Sequence, residues 1–483
     1  MNTESHPVQT DGQAAENGWS CPSNADDFFH QALDLHQQGE ADPAVSLYQQ
    51  AIDLCPKHVD ACFYLALLYR AMGASEEAAF WFDRAHTLLP GEAAIAYELG
   101  ITRYSLGQQQ MAIEHFHKVL ALDDTHWQAA YNLGTAHLGQ GNTSEAITAY
   151  QRAAQLNPQD ADIHFNLGLA CKRAGRLEEA RQSYLCAMEI APDDAEVHYN
   201  LALVYKELEC KDEAITSLEI TIALRPEYGA AHGNLGVLYL DQDKVNEAIT
   251  CYQRLIELDH NAVSARHILA ALTGETTAFA PSSYIAELFD SFSGHFEERL
   301  LVDLEYQTPW ELKKMLLTDP DGPSRFERLL DLGCGTGLVG QIFQEISTCR
   351  VGVDLSPKMV ETAATKKVYD ELVVGEIVTF LEQNQEPFDL TVAADVFIYV
   401  GDLDRIFATL ARGLAKNGRI LFSTEQMTGQ GYQLRQSGRY AHSFSYIDAM
   451  AARHGFRVLA SQSANIRKEK GKWIAGDLYL LGV

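Results

Sequence analysis

Small residues recur at a constant spacing through the first half of the chain. One column repeats every 34 residues and holds alanine in each unit, at Ala44, Ala78, Ala112, Ala146, Ala180, Ala214 and Ala248. A turn column follows the same period with Gly39, Gly73, Gly107, Gly141 and Gly175, and with Glu209 and Asp243 in the last two units. Such a period predicts helical hairpins that bury their apolar faces only by stacking on one another. We therefore predict an all-α solenoid of seven hairpins over residues 26–272, in which residues 261–272 form a capping helix.

This pattern resembles tetratricopeptide repeats, in which two antiparallel helices pack through small residues. An aromatic column, which is broken only by Leu218, would supply packing residues for the hairpins at Tyr48, Phe82, Phe116, Tyr150, Tyr184 and Tyr252.

Asparagine recurs once per unit in the first helix, at Asn132, Asn166, Asn200 and Asn234. In solenoids that resemble this one, the column faces the concave groove, as in the superhelix of O-GlcNAc transferase. An asparagine amide can pair with both polar groups of an extended peptide backbone, so we predict a protein or peptide partner there. The alternative is that asparagine is only common at this position and serves local helix contacts. Glycosyl transfer itself finds no support after residue 283.

In the second half, strand and helix patterns alternate from residue 284 to residue 483. This alternation predicts βα units that form a doubly wound, Rossmann-like parallel sheet. Residues 273–283 are rich in turn formers and form a short predicted linker. Two apolar runs at the end, 457–464 and 473–483, predict an antiparallel hairpin, and the weakly basic run between them, 466–472, suggests a solvated turn.

The segment LLDLGCGTG (329–337) places glycine at Gly333, Gly335 and Gly337, directly after a predicted strand. Glycine lets the backbone turn sharply and approach a ligand closely. Asp354 ends the next apolar run, where a carboxylate can accept the two hydroxyls of a ribose. The DxGxGxG pattern resembles motif I of class I S-adenosylmethionine-dependent methyltransferases, and the later strands follow in the order of that family. The combination with repeats resembles a bacterial group of predicted methyltransferases, over residues 27–483.

The resemblance implies S-adenosylmethionine as the cofactor and a set of residues that bind it. We expect this set to be Asp331, Gly333, Gly335, Gly337, Asp354, Glu376, Ile377 and Asp395. If the acceptor must lose a proton, the candidate bases near the ends of the fourth and fifth strands are Asp395, Tyr399, Asp402 and Glu425. Arg439, Tyr440 and His442 lie in a predicted loop that often shapes the acceptor pocket in relatives, although His442 could equally anchor the following helix.

The composition limits the classes of partner that the chain can bind. The net charge is −29, with 66 acidic against 37 basic residues, which argues against nucleic-acid binding. The loop AADV after the fourth strand also lacks the proline-rich turn of base and glutamine methyltransferases. We expect no membrane segment, no metal site and a cytoplasmic location. The first 25 residues are polar and predicted to be disordered. The nine cysteines, Cys55 among them, suggest reduced thiols.

These observations lead to one preferred hypothesis and one alternative. We expect a methyltransferase whose solenoid binds a protein partner, with an acceptor that is either a small molecule or a protein. The alternative is a scaffold protein whose methyltransferase-like domain binds the cofactor without catalysing transfer.

Overall fold

The computed structural model of the protein describes residues 21–292, 297, 299–469 and 471–483. The disordered tail predicted for residues 1–25 therefore lies mostly outside the described residues. The chain divides into two compact units, residues 1–231 and residues 232–483. Stacked helical hairpins build the first unit, and the second contains a mixed α/β domain with a mostly parallel sheet, so the predicted fold class is confirmed.

The first unit is a helical solenoid in which each odd-numbered helix pairs with the next. Its helices are α1 (Ser23–Gln37), α2 (Ala41–Leu54), α3 (Val59–Ala71), α4 (Ser75–Leu88), α5 (Ala93–Ser105), α6 (Gln109–Leu122), α7 (Trp127–Gly139), α8 (Thr143–Leu156), α9 (Ala161–Arg173), α10 (Leu177–Ile190), α11 (Ala195–Glu207) and α12 (Lys211–Leu224).

The turn inside each hairpin requires a left-handed backbone, which explains the glycine column. Gly39 has φ +81°, and the next residue, Glu40, donates its amide to the carbonyl of Leu35 at 2.9 Å. This bond satisfies a helix-end carbonyl that would otherwise lack a partner. Glu209 and Asp243, which replace glycine in the last two units, adopt the same conformation with φ +59° and +58°.

The close approach of the two helices in a hairpin depends on small residues. The alanine column is fully buried, and Tyr150 is fully buried beside it. A Cβ added to Gly134 would lie 2.8 Å from the ring of Tyr150, and Gly168 stands in the same relation to Tyr184. Glycine inside a helix normally costs about 1 kcal/mol, so these glycines are explained by the aromatic ring that covers them.

The expectation that Cys55 is a reduced thiol was wrong. Cys55 forms a disulfide with Cys21, and their Cα atoms are 5.6 Å apart. Cys21 precedes α1 and Cys55 follows α2, so the closed hairpin brings together two cysteines that are 34 residues apart. Cys62, Cys171 and Cys334 are buried thiols, as expected.

The second unit begins within α13 (Gly229–Asp241). Its other helices are α14 (Val245–Leu258), α15 (Val263–Thr273), α16 (Ser282–Phe292), a π-helical turn (Arg299–Asp303), α17 (Thr308–Leu317), α18 (Leu338–Phe343), α19 (Pro357–Lys366), α20 (Ile377–Gln383), α21 (Asp404–Gly413) and α22 (Phe444–Arg453). Its strands are β1 (Phe326–Leu332), β2 (Ser347–Asp354), β3 (Glu371–Val374), β4 (Phe388–Ala393), β5 (Leu414–Gln426), β6 (Tyr432–Leu434), β7 (Tyr440–His442), β8 (Arg457–Glu469) and β9 (Lys472–Gly482).

The sheet has the strand order β3-β2-β1-β4-β5, and all of these neighbours are parallel. The chain runs from β1 outward to β3 on one side and then returns to β4 and β5 on the other. The order therefore reverses between β1 and β4, and a ligand is expected at the carboxyl ends of these two strands. As predicted, β8 and β9 form an antiparallel hairpin, and β9 pairs with β5 in the antiparallel sense.

Two details of the second unit differ from the sequence prediction. Tyr440 and His442 belong to β7 and not to a loop, because the long strand β5 extends far enough to pair with residues 441 and 442. The basic run is not a solvated turn over its whole length, because β8 continues to Glu469 and buries Ile466 and Arg467.

A main-chain segment, residues 276–282, joins α15 to α16, and we refer to it as the strap. The carbonyl of Ala278 accepts the amides of Gly401 and Asp402, both at 2.8 Å. The amide of Ala280 donates to the carbonyl of Tyr399 at 3.0 Å. These bonds fasten the strap along the loop that follows β4.

Candidate functional site

The glycine loop leaves β1 in the conformation that its sequence predicts. Gly333, Gly335 and Gly337 all have left-handed backbones, with φ of +67°, +51° and +94°. A Cβ on Gly333 would lie 2.6 Å from a methyl group of Val396. The loop is therefore packed against the segment after β4, so that the ends of β1 and β4 meet at one place.

Asp354 holds this loop from the end of β2. Its carboxylate accepts the amide of Gly335 at 2.8 Å and the amide of Ser356 at 2.9 Å. Burial raises the pKa of Asp354, and the bonds from these backbone amides oppose that shift. Each carboxylate oxygen can accept more than one hydrogen bond, so acceptor capacity remains on the cavity side, where Asp354 is part of the lining.

Asp331 is fully buried at the end of β1. The Tyr369 hydroxyl donates to its Oδ2 atom, whereas its Oδ1 atom has no hydrogen-bond partner among the described residues. Burial raises the pKa of Asp331 to about 8, despite the bond from Tyr369. An orphaned buried oxygen is costly, and a donor from a bound ligand would remove that cost.

Glu376 and Ile377 follow β3 and both line the cavity, as expected. Glu376 also caps α20, because its Oε2 atom accepts the amide of Thr379 at 2.7 Å. Its Oε1 atom is left to accept from a ligand.

Gly333, Gly335, Asp354, Glu376 and Ile377 border a cavity of about 670 Å³, a size typical of small-molecule sites. Asp331 and Gly337 are not part of its lining. The lining near the glycine loop includes Gly333, Gly335, Val353, Asp354, Glu376, Ile377, Asp395 and Val396. A further part of the lining, which we call the apolar wall, includes Ala278, Phe279, Ala280, Ile285, Phe289, Leu304, Tyr306 and Tyr399, together with Arg439 and Arg467. The strap supplies part of this apolar wall.

The candidate bases separate into two groups. Asp395, Tyr399 and Asp402 line the cavity. Asp395 has a left-handed backbone with φ +60°, which is uncommon for a residue other than glycine. Glu425 is not part of the lining and is buried beneath it, where it forms an ion pair with Arg467.

His442 does not line the cavity. Its ring is fully buried, and Nε2 lies 3.0 Å from the carbonyl of Gly401. Burial lowers its pKa to about 4, so the ring is neutral near pH 7. This position supports the anchoring alternative, although the anchored group is Gly401 and not the start of α22, which Ser443 caps. Tyr440 is also buried, and its hydroxyl lies 2.5 Å from that of Thr277 in the strap.

Arg467 is the functional candidate that the sequence analysis missed. Its side chain is only 2% exposed, although it borders the cavity. A register shift in β8 between Asn465 and Arg467 allows two consecutive side chains, Ile466 and Arg467, to be buried. Such a bulge re-aims a side chain, and a regular alternating pattern does not predict it. Sequence inspection could have flagged only that an arginine follows an apolar residue in a predicted strand.

The asparagine column makes contacts within the solenoid. The Nδ2 atoms of Asn132 and Asn166 donate to the hydroxyls of Tyr97 and Tyr131 in the preceding repeat, both at 3.0 Å. Asn166 also donates to a carbonyl one turn earlier in its own helix, at 2.8 Å, and Asn200 does the same at 2.9 Å. The amide donors of Asn132 and Asn166 thus connect neighbouring repeats, whereas that of Asn200 bonds within its own helix.

Among the described residues, no group of three or more histidine, cysteine or acidic side chains could hold a metal ion. No helix in the described ranges combines the length and the apolar character needed to cross a membrane.

Family models match both halves of the chain. Tetratricopeptide-repeat models match residues 29–93, 97–160, 131–195, 195–228 and 229–262. A methyltransferase-domain model matches residues 330–422.

Several curated relatives are methyltransferases. The ubiquinone biosynthesis O-methyltransferase of Caulobacter sp. (strain K31) is 32% identical over 126 residues, which cover 25% of this chain and 50% of that protein. The malonyl-[acyl-carrier protein] O-methyltransferase of Serratia marcescens is 30% identical over 126 residues, covering 24% and 48%. An 18S rRNA (guanine-N(7))-methyltransferase of Arabidopsis thaliana is 25% identical over 150 residues, covering 28% and 51%. The chain thus spans about half the length of these relatives.

Similar solved structures contain repeats. One is the C-terminal part of a TPR repeat-containing protein from Cytophaga hutchinsonii, with 15% identity and a TM-score of 0.45, covering 49% of this chain and 98% of that one. Another is the TPR protein YrrB, with 24% identity and a TM-score of 0.36, covering 41% and 97%.

Proposed function

We propose that this chain, which carries tetratricopeptide repeats followed by a methyltransferase domain, transfers a methyl group from S-adenosylmethionine to an acceptor held in the cavity of the second unit. The proposal includes the limits given above: repeats over 26–272, a linker over 273–283 and a catalytic domain over 284–483. The observation that carries it is the link between Asp354 and the glycine loop at the ends of β1 and β2.

The residues present fit this cofactor. Asp354 can accept the ribose hydroxyls, because its carboxylate borders the cavity while two backbone amides fix its position. Glu376 and Ile377 can contact the adenine, one through Oε1 and one through its apolar side chain. Asp331 is fully buried and outside the lining, so its orphaned Oδ1 atom would reach the amino-acid end of the ligand through a water molecule. When bound, S-adenosylmethionine supplies a methyl group on a positively charged sulfur, which is an activated leaving group.

The chain's own contribution to transfer would be alignment and exclusion of water. The strap and the apolar wall around Phe279 and Phe289 narrow the space opposite the glycine loop. Holding two reacting atoms in line can supply a large part of the rate enhancement without any covalent role for the protein.

The repeats would recruit a protein or peptide partner, either as the acceptor or as a docking platform. The oxygens of Asn132, Asn166 and Asn200 would accept hydrogen bonds from that partner, while their donors stay engaged inside the solenoid, and Asn234 would continue the same column. We place the protein in the cytoplasm. The disulfide between Cys21 and Cys55 argues against this location, because disulfides persist mainly in oxidising compartments. Mass spectrometry after alkylation in intact cells tests the location, and a retained disulfide would contradict a cytoplasmic one.

The first experiment is calorimetric titration of the full chain with S-adenosylmethionine and S-adenosylhomocysteine. We expect dissociation constants on the order of micromolar. The second step is incubation with methyl-labelled cofactor and fractionated cell extract, followed by a search for labelled product. Absence of cofactor binding contradicts the proposal. Binding without label transfer to any fraction supports the scaffold alternative.

A further inference from the structure

Arg467 is the centre of a charged network at the edge of the cavity. Its guanidinium contacts three carboxylates: Asp395 at 2.7 Å, Glu425, and Glu469 at 3.4 Å. Glu469 is also paired with Arg439. Burial would lower the pKa of Arg467, but the charges of Asp395 and Glu425 outweigh that effect and raise it. Arg467 therefore stays charged, as a buried group among carboxylates must.

The geometry singles out Asp395 within this network. Arg467 holds its Oδ2 atom, and Ser423 accepts its amide at 2.9 Å. Its Oδ1 atom has only a longer contact with the same serine hydroxyl, at 3.4 Å, and thus keeps acceptor capacity. The next residue, Val396, packs against Gly333 of the glycine loop. Asp395 thus connects the charged network to the glycine loop through its neighbour Val396.

The network contains more negative than positive charge. Asp395, Glu425 and Glu469 carry three negative charges, whereas Arg467 and Arg439 carry two positive ones. A surplus carboxylate at a partly buried position favours a nearby cation and disfavours an additional anion. A positively charged sulfur is such a cation, and an anionic acceptor would meet repulsion.

We propose that Asp395 faces the methyl group during transfer, that Arg467 is its positioning residue, and that the acceptor is a neutral hydroxyl or amine. This inference rests on the proposed function. In the step, the acceptor oxygen or nitrogen forms a bond to the methyl carbon, and the carbon–sulfur bond breaks with its electron pair left on sulfur. The acceptor proton goes to Oδ1 of Asp395. Sulfur and Asp395 both become neutral, so charge is conserved.

The test compares two ligands that differ at the position of the sulfur from which the methyl group would be transferred. S-adenosylhomocysteine has a neutral sulfur there, and sinefungin has a carbon that bears an ammonium group. We expect the full chain to bind sinefungin about tenfold more tightly than S-adenosylhomocysteine, because a hydrogen bond between charged partners is strong. Asp395→Asn should abolish this preference while leaving the affinity for S-adenosylhomocysteine within about threefold.

Two further variants make the comparison specific. Asp477→Asn removes a buried carboxylate of the same sheet that belongs neither to the network nor to the cavity lining, and it should keep the preference. Arg467→Lys keeps the charge but cannot hold three carboxylates with a planar fork, so it should reduce the preference. Only variants that still bind S-adenosylhomocysteine are compared.

Each outcome has a distinct meaning. If neither ligand binds the parent, the proposed function falls and this inference falls with it. If both bind with equal affinity, or if Asp395→Asn keeps the preference, the role of Asp395 is overturned while the proposed function stands. If Arg467→Lys keeps the full preference while Asp395→Asn loses it, the positioning role of Arg467 is overturned.

Discussion

Replacement of Asp354 by alanine tests the cofactor site most directly. The carboxylate has two tasks in the structure. It fixes the glycine loop through the amide of Gly335 and the following turn through the amide of Ser356, at 2.8 and 2.9 Å. In the proposed complex it also accepts the two ribose hydroxyls. Asp354→Ala removes both contributions at once.

The expected magnitude follows from these contacts. A hydrogen bond to a charged acceptor contributes about 1.5 to 3 kcal/mol, so two bonds set an upper limit of about 6 kcal/mol. Water can enter the space left by the carboxylate and restore part of this loss. We expect about 2 to 4 kcal/mol, or a dissociation constant raised roughly thirtyfold to a thousandfold.

Calorimetry with S-adenosylhomocysteine measures this change, and Asp389→Ala is its matched control. Asp389 also accepts two backbone amides, those of Glu327 and Arg328 at 2.7 and 2.8 Å, but at the opposite end of β4. Its loss should lower the melting temperature of the domain and leave cofactor affinity unchanged. An unaltered dissociation constant in Asp354→Ala would refute the site. Equal weakening by both variants would show that the effect is one of domain stability.

Three other predictions concern residues outside the lining of the cavity. The pKa of Asp331 is about 8 in the folded state, against an ordinary value of 3.8. The folded state therefore holds an extra proton between about pH 4 and 8, and it loses stability as pH rises through that window. Between pH 5.5 and 8 the melting temperature should fall less for Asp331→Asn than for the parent, and equal falls would contradict the raised pKa. Gly134→Ala should destabilise the solenoid by about 1 to 3 kcal/mol in urea unfolding because its Cβ meets an aromatic ring, whereas Gly91→Ala, which meets nothing within 4 Å, should not. Asn166→Ala should cost about 1 kcal/mol, and a double-mutant cycle with Tyr131→Phe should show coupling; independent effects would mean that the 3.0 Å bond contributes nothing.

The sequence was informative wherever structure depends on near neighbours. The 34-residue period identifies the hairpins because each turn needs a small or left-handed residue at one fixed position. The glycine loop is equally local, since three backbone conformations within five residues define it. The place of Asp354 follows in the same way, because it ends a short apolar strand next to the strand that carries the loop.

Long-range side-chain contacts could not be predicted in this way. Arg467 reaches Asp395 across 72 residues of chain, and it does so only because β8 shifts register just before it. His442 looked like a pocket residue because it follows a turn, yet the length of β5 draws it into a buried strand. In both cases the decisive fact is how one strand pairs with another, and neither residue type nor local spacing records that pairing.

The strap shows a further limit of prediction from sequence, because its hydrogen bonds use main-chain atoms. Ala278 and Ala280 bind the loop after β4 through a carbonyl and an amide, and His267 of α15 lies 2.9 Å from the carbonyl of Gly438. The residue after Gly438 is Arg439, which lines the cavity. Main-chain hydrogen bonds do not depend on residue type, so the sequence does not reveal them. For this reason the sequence predicts only a linker where the structure has part of the cavity wall. Within the second unit, α15 therefore belongs to the predicted repeats and is also hydrogen-bonded to the residue before Arg439. The strap that follows α15 is hydrogen-bonded to the loop after β4 and forms part of the cavity lining.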